Sequence, residues 1–503
     1  MKAITLVLLF SVILLVAPAT FGGQQVSADN LVLVPVENDP TVSFILWFKA
    51  GSQNDPPGKA GLAALTGSML AEASTQKNSY EDILEKLYPL AASYDAITSV
   101  EMTVIRGRVH KDNLKEYYAL LMDALLLPAF KQEDLDRLKS QTLNYLENML
   151  RYASDEELGK AVLYNSVFAG TPYGHITAGL INDVRGITLN DVRKFYKQHY
   201  RRGNVTIGLG GGYAAALVDQ IRSDVGLLPA GAPKPVAKPR VTPIKGMHFT
   251  IVEKDAPATA ISMGIPINVL RGTKDWYALA VANSWLGEHR NSSSHLYQVI
   301  REERGLNYGD YSYIEYFPGA GGRRVPPQNV ARRQQILEIW IRPVPNETRH
   351  FALRAALREF KRVVDHGMTA DQFELTRDFL SKYVLNYAPS TIERLGYAVD
   401  DKFYGIKGSH LEMFRRMMGT LTLNDVNTAI KKYWQYGNMK VAIVTKDAQS
   451  LKDALVTDSP SPITYNSPKP ESVLAEDKEI STFPLKVKAS NVKIVPVTEL
   501  LVK

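Results

Sequence analysis

The chain has 503 residues, 45% of them hydrophobic and 22% charged, with a formal net charge of +7 and no cysteine. That length and composition suit two or more domains with substantial cores, and the missing thiols exclude disulfides, thiolate zinc sites and a cysteine nucleophile. The basic residues are scattered except for Arg323, Arg324, Arg332 and Arg333, which flank Val325-Pro326-Pro327; without interleaved aromatics this reads as a solvated or acid-binding loop, and no nucleic-acid partner is expected.

In chain order, Met1-Lys2, the apolar run from Ile4 to Val16 and the small residues Ala17, Ala19 and Gly22 have the order of a secretory signal peptide over residues 1–22. The apolar run is too short to span a bilayer, so no stable membrane span is expected in the mature chain. Export without disulfides suits a periplasmic or secreted protein. Residues 31–36 and 42–50 read as strands, the second apolar on both faces and therefore central. Gly58 to Glu72, GKAGLAALTGSMLAE, follows Pro56-Pro57 and reads as a helix with positions 64, 67 and 68 on one face. Ser79 is placed to cap a helix running to Tyr88, Glu101 to Val109 alternates as a strand, and three helical patterns fill Lys111 to Phe168. A helix over Asp191 to Tyr200 and a strand over Asn204 to Leu209 close this half, and Gly208 to Gly212 reads as a flexible turn.

The pattern then repeats. Thr188-Leu189-Asn190-Asp191-Val192 recurs as Thr422-Leu423-Asn424-Asp425-Val426, and Gly203-Asn204 as Gly437-Asn438, each followed by an apolar strand. Both recurrences have one offset (425 − 191 and 437 − 203 are each 234), which argues for duplication. The reading is therefore an α+β protein of two homologous domains, residues 31–228 and 248–455. A linker at 229–247 carries Pro229, Pro233, Pro235, Pro239 and Pro243, and an extension over 456–503 runs along the surface.

Ala50-Gly51-Ser52, Asp55-Pro56-Pro57-Gly58-Lys59 and Gly61-Leu62-Ala63 resemble the approach to the active-site helix of the pitrilysin (insulinase-like) zinc peptidases, and Thr171-Pro172-Tyr173-Gly174 resembles another signature of that family. The resemblance implies two α+β domains in a clamshell around an extended peptide. It also implies His-x-x-Glu-His on the helix, two imidazoles holding zinc and the glutamate activating its water. Here Ala64, Gly67 and Ser68 occupy those places and offer no comparable donors. The family's third ligand would fall near Asn144 or Glu147. None of the nine histidines stands four from another, and each reads as a satisfied surface residue. No metal or other cofactor is expected in this chain.

His295 to Arg304 reads as a helix, Gly305 as its stop and Leu306 to Tyr313 as a strand. Arg301 and Tyr308 match the family's arginine and tyrosine, seven apart. The resemblance gives the tyrosine the role of donor to the tetrahedral oxyanion and the arginine that of holding a substrate carbonyl. From composition alone, Arg301 would instead pair with a neighbouring carboxylate and Tyr308 would be a strand aromatic beside Tyr311 and Tyr313. The family includes paired chains in which one supplies zinc and the other these two residues. The expected function is thus the subunit of a heterodimeric metallopeptidase that binds no zinc, acting with a zinc-binding sister on a peptide substrate. The alternative is a non-catalytic structural or peptide-binding protein of the same fold. Gly208 to Gly212 lacks a P-loop lysine, and Ser292-Ser293-Ser294 lacks nucleophile-elbow glycines.

Overall fold

The computed structural model describes residues 26–318 and 323–503; the segment read as a signal peptide lies outside the described residues. In the first half, β1 (Leu31–Pro35) and β2 (Thr41–Phe48) lead to α1 (Leu62–Ala71) and α2 (Tyr80–Leu87), then to β3 (Ser93–Thr98) and β4 (Thr103–His110). There follow α3 (Leu114–Leu126), α4 (Gln132–Asn144), a π-helical segment Tyr145–Ala153, and α5 (Asp155–Val167). The half ends with α6 (Ile181–Gly186), α7 (Leu189–His199), β5 (Val205–Gly211) and α8 (Ala215–Val225).

The second half repeats this order. β6 (His248–Glu253), β7 (Ala258–Ile267), α9 (Lys274–Gly287), a π-helical segment Tyr297–Glu302, β8 (Asp310–Tyr313) and β9 (Gln335–Pro345) correspond to the first sheet and its helix. α10 (Arg349–His366), α11 (Ala370–Tyr383), α12 (Thr391–Tyr404), α13 (His410–Thr420), α14 (Leu423–Tyr433), β10 (Lys440–Thr445) and α15 (Ala448–Val456) complete it. The strand orders β1-β5-β2-β4-β3 and β6-β10-β7-β9-β8 are the same, with a parallel pair at one edge of each. The repeated Thr-Leu-Asn-Asp is a capping box in both halves: the N–H groups of Asp191 and Asp425 donate to Thr188 and Thr422, and the aspartates accept in return. Each aspartate also holds a lysine at the start of the first long helix of its half, Lys59 just before α1 at 2.8 Å and Lys274, the first residue of α9, at 2.6 Å.

β2 is central, as its two apolar faces require. Phe44, Leu46 and Phe48 enter the core under α1 and α3, while Ile45 and Trp47 pack against Leu395 and Val399 of α12, a helix of the other half. The exchange is mutual: α5 of the first half lies on β7 and β10, with Gly159 facing Ser262 and Val444. Gly208 to Gly211, read from sequence as part of a flexible turn, are instead buried strand residues of β5. A Cβ at Gly210 would stand 3.0 Å from Thr391 Cγ2, and one at Gly208 3.2 Å from Leu395 Cδ1, so these glycines let α12 seat on the sheet. The segment 456–503 does more than run along the surface. α16 (Glu471–Ser481) packs on α10, β11 (Val492–Pro496) adds a sixth, parallel strand beside β6, and the carbonyls of Leu501 and Val502 accept from Ile181 and Asn182 of the first half.

Candidate functional site

α1 begins at a fixed point. Gly61 has φ +98°, where a Cβ would meet the Ala178 carbonyl at 2.8 Å, and the buried Asp55 carboxylate accepts from the Gly61 and Ala63 N–H groups at 2.8 and 2.7 Å. His175 Nε2 stands 3.1 Å from the same carboxylate, whose pKa is raised by burial against the opposing pull of these partners. The start of the helix is thus fixed, but its face at positions 64, 67 and 68 offers no metal donors. Ala64 has no donor atom, and Ser68 Oγ donates to Glu72 at 3.1 Å. Gly67 is buried against β3 and β4: a Cβ there would stand 2.9 Å from Thr98 Oγ1 and 3.2 Å from Thr103 Cγ2. At the expected third position, Asn144 accepts from Asn148, and Glu147 forms an ion pair with Arg185. Among the described residues no group of three or more His, Cys, Asp or Glu side chains is placed to hold a metal ion. These residues do not fit zinc.

Arg301 and Tyr308 are brought together. Arg301 lies in the π-helical segment Tyr297–Glu302, an irregularity frequent at functional positions, and Gly305 ends it at φ +69°, its N–H donating to the Arg301 carbonyl at 2.8 Å. Tyr308 lies in the turn before β8, where the sequence reading had put strand, and is 78% exposed. Arg301 Cζ is 5.8 Å from the centre of its ring, a cation–π distance. The expected neighbouring carboxylate is missing: among the described residues the Arg301 side chain makes no hydrogen bond or ion pair, and its Nε is buried without a partner. Arg304, one turn on, takes up three nearby carboxylates, Glu303, Glu476 and Asp477. No hydrogen bond, ion pair or ring contact among the described residues joins Arg301 or Tyr308 to α1.

Sequence reasoning missed two features. His199, His289, His350 and His410 are buried, against the surface reading, and burial lowers the pKa of the first three to about 4. Two of the loop arginines also turn inward. Arg333 is paired with buried Glu101 of the first half, and Arg332, 2% exposed, sits among the rings of Tyr164, Phe168, Tyr173 and Tyr316. Only the closeness of basic and apolar residues in that stretch hinted at this.

Two family models match the chain: "Insulinase (Peptidase family M16)" over residues 31–179 and "Peptidase M16 inactive domain" over residues 186–380. Together they span more than half of it. The chain belongs to the M16 peptidase family. An uncharacterized zinc protease of Streptomyces coelicolor is 24% identical over 361 residues, covering 70% of this chain and 72% of that one. The non-peptidase homolog YmxG of Helicobacter pylori is 22% identical over 455 residues, covering 88% and 99%. Among solved structures, a peptidase M16 inactive domain from Pseudomonas fluorescens superposes with a TM-score of 0.72 at 23% identity, over 83% of this chain and 95% of that one. With no donor set on α1, this M16 chain is of the inactive type.

Proposed function

We propose that the protein is the zinc-free subunit of a two-chain M16 peptidase, exported to the periplasm or beyond, which cradles an extended peptide and lends Arg301 and Tyr308 to the active site of a zinc-bearing sister. The observation that carries this reading is the Arg301 guanidinium, unpaired among the described residues and held beside an exposed phenol. A relic would be expected to pair with one of the surrounding carboxylates, as Arg304 does, whereas a group kept for a ligand keeps its donors open. The phenol would donate to the oxyanion formed at the partner's metal, and the guanidinium would hold a neighbouring peptide carbonyl.

The test is coexpression with an M16 chain that carries His-x-x-Glu-His, followed by peptide-cleavage assays of each chain and of the pair. The pair should cleave and this chain alone should not. Tyr308→Phe should lower kcat by about 10²–10³ with little change in KM, the loss typical of one oxyanion donor. Equal turnover by wild-type and variant pairs would remove the role. One finding favours a second reading, a non-catalytic peptide-binding or structural protein: a relative that spans 88% of this chain bears the name non-peptidase homolog. That reading expects no cleavage with any zinc-bearing sister.

A further inference from the structure

A cavity of about 160 Å³ opens where the two halves meet, between α5 and residues Tyr316, Phe317, Pro318 and Arg332 of the second half. Its wall is aromatic, with Tyr164, Phe168 and Tyr173 from the first half and Tyr316 from the second, and Arg332 lies among these rings with its Cζ 4.7–5.8 Å from their centres. Arg332 Nε donates to Gln335 at 3.2 Å, but Nη1 and Nη2 have no hydrogen-bond partner among the described residues, Nη2 being buried. Nor does Arg332 form an ion pair there. The other cation of the cavity is already satisfied: Lys160 Nζ lies 3.2 Å from Glu156, 2.8 Å from Glu157 and 3.5 Å from the Trp340 ring centre. Glu338 is turned to the Tyr164 hydroxyl and the Trp340 indole N–H.

A buried guanidinium with both terminal nitrogens open is costly unless an acceptor arrives, and a carboxylate is the acceptor whose two oxygens match that fork. The rings leave room for an apolar body beside it. At the rim stands Tyr145, 40% exposed, and Met149 and Tyr152 follow it on the same π-helical segment, both about half exposed. Tyr145 and Leu150 of that segment line the cavity, and its exposed Met149 and Tyr152 add apolar surface on the same element. We propose that the cavity is a pocket for the C-terminal carboxylate of a peptide with an apolar last residue, held by Arg332. The proposal deepens the peptide-binding reading above and rests on it.

The test uses the isolated full chain and needs no zinc-bearing sister, so its outcome is independent of the Tyr308→Phe assay. Calorimetric titrations would compare a hexapeptide ending in phenylalanine, the same peptide as its C-terminal amide, and N-acetylphenylalanine. The free acid should bind at least tenfold more tightly than the amide. Arg332→Gln should erase that difference, and Thr177→Trp, at a partly exposed position lining the cavity, should block the acid while leaving Arg332 in place. Melting curves would show that the variants are folded, and the Thr177→Trp arm stands if Arg332→Gln is not. Equal binding of acid and amide, no binding at millimolar concentration as a merely water-filled joint predicts, or binding of N-acetylphenylalanine without the peptide would each overturn the assignment.

Discussion

At Gly67 the absence of a side chain is part of the packing. This glycine, where the family resemblance implies a glutamate, lets α1 settle onto Thr98 and Thr103, and those hydroxyls are engaged, 3.1 Å from each other with Thr103 donating to the Ala50 carbonyl at 2.8 Å. Gly67→Ala should therefore destabilise the protein: about 1–3 kcal/mol of overpacking outweighs the roughly 1 kcal/mol that alanine gains inside a helix. A lower Tm checks this, and an unchanged or higher one would show that the helix can lift freely. Restoring histidines at positions 64 and 68 and glutamate at 67 should for the same reason give a less stable protein, measured by denaturant unfolding. At this scale residue types and spacings were legible from sequence, so the bare face of α1 and the Arg301/Tyr308 interval could be read. Exposure could not: that Tyr308 stands in solvent and Arg332 is enclosed depends on chain segments far away in sequence.

Between elements, the contact of α5 with β9 is sensitive to pH. Tyr164 donates to both Glu338 oxygens, at 2.6 and 2.7 Å, yet burial outweighs this and raises the Glu338 pKa to about 7. The folded protein thus holds a proton that the unfolded chain releases above about 4.5, so this group's contribution is full below that pH and is lost as pH rises through about 7. The stability difference between wild type and Glu338→Gln should fall by up to about 3 kcal/mol across that window, followed by urea unfolding at several pH values. Comparison with the variant is needed because His199, His289 and His350, kept neutral, add stability that is lost as pH falls below about 6.5 toward 4. The capping boxes give a second expectation: Thr188→Ala and Thr422→Ala should each cost about 1 kcal/mol and be nearly additive, since they cap helices in separate halves. Helices with such start signals were legible. β3 was not, because Ser93–Thr98 is a mixed edge strand with few apolar residues, defined by its pairing with β4.

For the molecule as a whole, the duplication was visible in two short recurrences, and the structure extends it to matching sheets and helices in matching order. The strapping role of the C-terminus was not visible, because Val492–Pro496 becomes a strand only through β6. Removing residues 492–503 should expose that sheet edge and leave the buried Arg151 guanidinium without the Leu500 carbonyl that it meets at 3.0 Å. A lower Tm and faster proteolysis are expected, with unchanged values for both counting against the strap. The traded helices, α5 seated on one sheet and α12 on the other, bear on ancestry. A lone half would have a bare sheet and a homeless helix, and two copies cure both defects by lending each other that helix. Fusing the genes would then have kept the handshake while freeing each copy's surface and loops to diverge, because the exchanged helices hold the two sheets together.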